Sequence, residues 1–364
     1  MQETRVTIEG IAAKSGRGER ITPEEALMLY REAPPALLAR LAMARKRALS
    51  GDAIYFNRNI HIEPTNLCLH HCRFCSYRRQ PDEEGSWEYS LEEIERIARS
   101  HAHKTLTEVH VTGGVHPGHD LAFYGEIVRR IKRIFPQATV KAFTATELNY
   151  VFKKAGVTAD EGLRQLKAAG LESIPGGGAE IFDAEIRTHI APDKGSAESW
   201  LAIHEAAHHQ GIGSNATMLY GHVENLEHRI DHMERLRTLQ DRTGGFNAFI
   251  PLKYRKAGNP LSEEDGISEV SAVEDMRTLA IARIFLDNFP HIKAYWPMYG
   301  KTVTEMALAF GADDMDGTID DTTRIYAMAG AEEQSPSLSV GEIAAMARAA
   351  GLRAVERDTF YHEL

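Results

Sequence analysis

Cysteine is scarce in this chain of 364 residues: there are three, and all lie between Cys68 and Cys75. An odd, tightly clustered set argues against a disulfide framework and for metal or redox chemistry. Long apolar runs are missing as well. None reaches the ~18 residues that mark a membrane helix, and Met1-Gln2-Glu3-Thr4-Arg5 lacks the apolar stretch of a secretory leader. The expectation is a cytoplasmic protein with no membrane partner. A basic face is also absent, since the net charge is −10 and acids and bases are interleaved. That balance disfavours nucleic acid as the main partner. No repeat, low-complexity tract or interdomain linker is visible.

What the chain does have is an alternation of short β-rich runs with longer helical ones, the pattern of successive βα units around a parallel sheet. Residues 1–50 read as helix, with a capping box at Thr22-Pro23-Glu24-Glu25. Strand candidates follow at Asn59–Glu63, Glu108–Thr112, Thr139–Thr144, Glu172–Pro175, Ser214–Leu219, Asn247–Pro251 and Ile292–Trp296. A weaker eighth lies near Asp313–Asp316. Helices are expected between them, including Ser90–His101, Leu121–Ile134, Ala197–His209, Leu226–Arg242 and Val270–Asn288. Eight units over roughly 270 residues suit a TIM-type (β/α)8 barrel. The expected division is an N-terminal helical extension (1–50), the barrel (51–330) and a C-terminal extension packed on it (331–364). A doubly wound open sheet is the structural rival.

The three cysteines follow the first barrel strand in Pro64-Thr65-Asn66-Leu67-Cys68-Leu69-His70-His71-Cys72-Arg73-Phe74-Cys75. Barrel enzymes build their sites at this end of their strands. The spacing is C-x3-C-x2-C, so one compact loop can wrap three thiolates around a face of a 4Fe–4S cluster. The fourth iron then lacks a protein ligand and is open to the amino and carboxylate groups of a small amphoteric ligand. The alternative is a zinc site of Cys3His type, with His70 or His71 as fourth ligand, in a non-catalytic barrel. Structural zinc sites usually draw their ligands as pairs from separate segments.

With Phe74 before the last cysteine, the motif resembles the radical S-adenosylmethionine (SAM) superfamily. The resemblance implies that Phe74 lies against the SAM adenine. It also implies that Gly113-Gly114, following the second strand, binds the methionine end of SAM. Four further segments resemble the branch that forms futalosine-derived and deazaflavin products: residues 110–117, Lys141–Glu147, Pro175–Ile181 and Ala216–His222. Within that branch Lys141-Ala142-Phe143-Thr144-Ala145, Tyr220-Gly221-His222 and Glu356-Arg357-Asp358-Thr359 are most similar to the aminofutalosine synthases of menaquinone biosynthesis. This implies a 4Fe–4S cluster, SAM as co-substrate, and a one-electron donor such as flavodoxin or ferredoxin. The implied reaction adds the 5′-deoxyadenosyl radical to 3-[(1-carboxyvinyl)oxy]benzoate, with rearrangement and decarboxylation, to give 6-amino-6-deoxyfutalosine. The sister activities are the dehypoxanthine futalosine cyclase and the radical SAM component of deazaflavin synthase.

Such a site needs an anchor for the SAM ribose, cations for two substrate carboxylates and a lining that does not quench radicals. Glu180, after the Gly176-Gly177-Gly178 turn, is the candidate ribose partner, and the resemblance places a SAM-contacting carboxylate there. Glu147, after the third strand, is a candidate for SAM or substrate. Both positions also suit an acid at a helix N-terminus. Arg187 is expected on the side of Glu180, either pairing with it or contacting SAM. Lys253, Arg255, Arg78 and Arg79 are candidate carboxylate partners, though each alone is more often a solvated surface charge. His222 and His116 could donate to a carboxylate or handle a proton. Tyr254, Tyr295 and Trp296 could line a benzoate pocket or fill the core.

Overall fold

The computed structural model describes residues 7–319, 324–331 and 336–364. The first six residues, read above for their lack of an apolar leader, lie outside the described residues. Ten strands are present among the described residues. They are β1 (Ala53–Asn57), β2 (Asn59–Ile62), β3 (Glu108–Val111), β4 (Thr139–Ala142), β5 (Ser173–Ile174), β6 (Gly213–Tyr220), β7 (Phe246–Lys253), β8 (His291–Ile292), β9 (Asp314–Gly317) and β10 (Arg353–Glu356). Strands β2 to β8 form one parallel sheet in chain order, curled into a half-barrel of the α/β, TIM-like class.

Helices cover the outside of this sheet because its outward rows are apolar. Ile60, Ile62, Val109, Val111, Val140 and Ala142 are all buried in the main core. The capping box read at Thr22 forms, and a second one forms at Ser90. Thr22 and Ser90 each accept from the backbone N–H three residues on, and Glu25 and Glu93 reach back to complete the boxes. Residues 7–50 contain three helices, Ile8–Gly16, Pro23–Glu32 and Pro35–Ser50. None of the described helices is long and apolar enough to cross a membrane.

The eighth expected strand exists as β9, but it pairs with β1 rather than completing a ladder back to β2. A bridge between Lys293 and Asp314 sets it beside β8. Side chains span the remaining gap: Asn59 Nδ2 donates to Asp316 Oδ2 at 3.0 Å and accepts at Oδ1 from Ile319 N at 3.1 Å. β1 also pairs with β10, in the order β10-β1-β9. Part of the expected C-terminal extension, β10, therefore belongs to a three-stranded sheet. The seventh strand stops at Ile292, and Trp296 instead opens a helical turn with Pro297 as its first-turn proline.

Candidate active site

A cavity of about 320 Å³ opens where β2 to β7 end, and Cys68, Cys72 and Cys75 all stand in its wall. Their loop is held by bonds that involve no cysteine side chain. Thr65 Oγ1 donates to Trp87 O at 2.8 Å, Asn66 Nδ2 donates to Gly85 O at 2.9 Å, and Leu69 N donates to Val115 O at 3.0 Å. On the other side Arg73 forms ion pairs of 2.8 Å with both Glu264 and Asp265. Burial pushes the Cys72 thiol up to about 12 and raises that of Cys75. Three thiolates can share such a site only when a metal supplies compensating charge. The residues therefore fit a metal cluster held from one side.

Gly113 and Gly114 bring bare backbone against this loop. A Cβ on Gly114 would stand 2.3 Å from Leu67 O, and one on Gly113 would stand 2.8 Å from Thr65 O. Only glycine allows that approach. Gly114 N donates to Thr65 O at 2.8 Å, and Val115 N points at Cys68 Sγ from 3.3 Å.

Glu180 lies in the same cavity wall, in the left-handed region at φ 49°. Its partner is Lys194, which reaches Glu180 Oε1 and lies 5.6 Å from the Phe74 ring centroid. Burial opposes the charge on Lys194, but Glu180 more than offsets it and holds the ammonium above the usual lysine range. Sequence reasoning missed Lys194, because Asp193-Lys194-Gly195 reads as an ordinary polar turn. Arg187 does not pair with Glu180. Its guanidinium donates to Ala179 O (2.6 Å), Gly178 O (3.0 Å) and Gly195 O (2.7 Å). It braces the glycine turn and the Lys194 loop together, so it is a positioning residue.

Glu147 also acts behind the wall. It accepts from Thr144 N at 2.7 Å, Thr112 Oγ1 at 3.2 Å and Gly113 N at 3.3 Å. It thus combines the capping-box acid of the helix Ala145–Ala155 with a brace for the Gly113 turn. Burial pushes its carboxyl up to about 7, against the hydrogen bonds it accepts. A carboxyl raised in the folded state favours folding when protonated. Its contribution is full below about 4.5 and is lost as pH rises through about 7. The parent is expected to lose up to about 3 kcal/mol of stability from this group between pH 4.5 and 8. Denaturant titrations of Glu147→Gln, which keeps the capping geometry, should lack that component; parallel pH profiles for parent and variant would refute it.

Arg78, Lys253, Arg255, Tyr254 and Tyr295 line the cavity. Arg78 Nε donates to Cys68 O at 3.3 Å, Lys253 pairs with Asp275 at 2.9 Å, and Arg255 lies 3.4 Å from Glu269. The remaining candidates are placed elsewhere. His222 is buried behind the strand end, with Nε2 3.1 Å from Leu219 O and Nδ1 3.2 Å from Glu224. Burial lowers its pKa. His116 faces Glu88 at 3.5 Å, and its Nδ1 accepts from Gly118 N at 3.0 Å. Arg79 donates to the carbonyls of Ser76 and Arg78 and stiffens the loop. Trp296 is a core residue whose indole donates to Gly317 O at 2.9 Å. None of these four is in the cavity wall, and Trp296 takes the core alternative.

Residues 62–236, which contain the cysteine loop and β3 to β6, match the radical SAM superfamily. The chain belongs to that superfamily. Residues 243–363 of this radical SAM protein match the CofH/MqnC C-terminal region, so β7 to β10 have a family counterpart as well. The aminodeoxyfutalosine synthase of Thermus thermophilus is 44% identical, over 97% of this chain and 95% of its own. The cyclic dehypoxanthine futalosine synthase of Streptomyces coelicolor is 38% identical, over 99% of this chain and 90% of its own. Among solved structures, methylornithine synthase superposes with a TM-score of 0.75 at 15% identity, covering 94% of this chain and 97% of that one. That last likeness concerns the fold. The cofactors of the superfamily are a 4Fe–4S cluster and SAM, and the half-buried three-thiol loop with its glycine approach suits them.

Proposed function

We propose that this radical SAM protein has aminodeoxyfutalosine synthase activity, joining the 5′-deoxyadenosyl group of SAM to 3-[(1-carboxyvinyl)oxy]benzoate with rearrangement and loss of a carboxylate. The observation that carries this reading is the 44% identity with the Thermus thermophilus enzyme along nearly the whole of both chains. The cavity supports it, since the three cysteines and several cations, among them Arg78, Lys253 and Arg255, line the same space.

When bound, the cluster and SAM supply one electron and a 5′-deoxyadenosyl radical. Cys68, Cys72 and Cys75 would hold the cluster and leave one iron open to SAM. Phe74 would face the adenine, the backbone at Gly113 and Gly114 would meet the methionine end, and Glu180, held by Lys194, would accept from the ribose hydroxyls. Arg78, Lys253 and Arg255 offer charge-assisted donors to the substrate carboxylate nearest the cluster. Tyr254 and Tyr295 flank its ring, and Leu219, Leu252 and Met298 keep water from the reacting carbons. A donor such as flavodoxin or ferredoxin delivers the electron.

The test is turnover of reconstituted, reduced protein with SAM and the enol ether under anaerobic conditions. The expected product carries adenine covalently attached. Release of free 5′-deoxyadenosine with no adduct would overturn the reading and favour the cyclase-type sister.

A further inference from the structure

The register of the sheet places an unusual row inside the barrel. His61 is aligned with His110, His110 with Lys141, and Lys141 with Ser173 across β2 to β5. Aligned residues share a face, and Asn59, Glu108 and Thr139 form the row beneath by the same pairing. Branched apolar side chains usually fill such interiors. Here the apolar rows face outward and the polar rows inward.

Beneath the cavity the charges are matched. Lys141 pairs with Glu108 at 2.6 Å and Lys293 with Asp316 at 2.5 Å. Arg357 closes on Asp314 at 2.8 Å, and Thr359 Oγ1 donates to Glu108 Oε2 at 2.8 Å. Three carboxylates balance three cations, which accounts for the lower side of the row. The upper side is different, because His110, Lys141, Lys293 and Asp316 all line the cavity. His110 Nε2 is buried without a hydrogen-bond partner among the described residues. Lys141 has three N–H donors, and its ion pair with Glu108 uses one side of the ammonium. Asp316 is held at φ 85°, a costly conformation that concentrates at functional sites.

We propose that His110 and Lys141 form the seat for an aromatic carboxylate, the benzoate end of the substrate remote from its vinyl carbon. This rests on the reading of the same site given above. His110 lies within β3, whereas Gly113 follows the end of that strand at Val111, so the His110 row sits deeper in the barrel than the glycine turn. The cavity therefore has cations at two depths, with Ile250, Leu252, Tyr295 and Met298 among its walls. A flat ring with an anionic group at each end matches that order. The buried imidazole gains the acceptor it lacks, and the ammonium gains a charge-assisted bond.

The test is equilibrium binding to the reconstituted holoenzyme with SAM and no reductant, so that nothing turns over. The ligands are the enol ether and its analogue with the aryl carboxylate replaced by carboxamide. The parent should bind the carboxamide about tenfold to a hundredfold more weakly. His110→Leu should lose that preference and bind the acid about tenfold more weakly, with SAM affinity and iron content unchanged. Lys141→Met should do the same where it folds, and the ligand pair on the parent protein needs no variant at all. Equal binding of acid and amide by the parent, or an unaltered preference in His110→Leu, would overturn the seat. A parent that prefers the acid yet forms no adenylated product would overturn the proposed reaction and leave the seat standing. No binding of the acid by the parent would overturn both.

Discussion

Replacing Cys68, Cys72 or Cys75 singly by alanine should leave a folded, colourless protein with no iron or acid-labile sulfide above background and no product. Folding is expected to survive because the loop is fixed by Thr65, Asn66, Leu69 and Arg73 through bonds outside the thiols. Cluster binding should not survive, because each thiolate holds one iron and two cannot fix a cubane that leaves its fourth iron open. The zinc alternative is tested by the same series. His70 lines the cavity, and burial pushes its pKa down to about 4, so it is a neutral imidazole. His71 is turned to Asp193 at 2.7 Å. His70→Ala should therefore keep parental iron and sulfide, whereas a Cys3His zinc site would lose its metal. Stoichiometric zinc in oxygen-free parent protein, lost in His70→Ala, would end the cluster assignment.

Gly114→Ala should be nearly as damaging without touching a ligand. The added methyl would lie 2.3 Å from Leu67 O and 2.8 Å from Leu67 C. These are backbone atoms, so no side-chain rotation relieves the clash, and Leu67 is joined directly to Cys68. Overpacking of this kind costs about 1–3 kcal/mol, and the displaced loop should lower both iron content after reconstitution and SAM affinity. Gly16→Ala is the control, since a Cβ there meets nothing within 4 Å. It should be neutral or slightly stabilising. Parental iron content and SAM binding in Gly114→Ala would contradict the close-approach role.

Much of the fold was legible because the information is local. Each barrel strand is a short β-rich run, and the capping boxes at Thr22 and Ser90 lie within four residues of sequence. The three cysteines were legible for the same reason, since one loop carries all of them. What was missed depends on distant pairing. β1 has no counterpart in the sequence reading, which opens the first strand at Asn59: only Arg58 separates β1 from β2, and its partners β9 and β10 lie far along the chain. Lys194 looks like a turn residue until Glu180 is folded against it. His222 ends up buried against Glu224 and Leu219 O and outside the cavity wall, and neither partner is visible in the Tyr220-Gly221-His222 motif. Lys141 offered a usable signal: a lysine within a short strand whose neighbours Val140 and Ala142 are apolar must be neutralised or employed.

The sheet β10-β1-β9 also bears on how the molecule is made. Ile54 is aligned with Ala354 and Tyr55 with Asp314, so β1 waits for partners that lie far along the chain. Contacts this distant in sequence slow folding. Arg357 and Thr359 arrive with the same late segment and neutralise Asp314 and contact Glu108 at the base of the barrel. Until that segment is in place, β1 lacks both of its partners and the buried carboxylates at the base of the barrel lack Arg357 and Thr359.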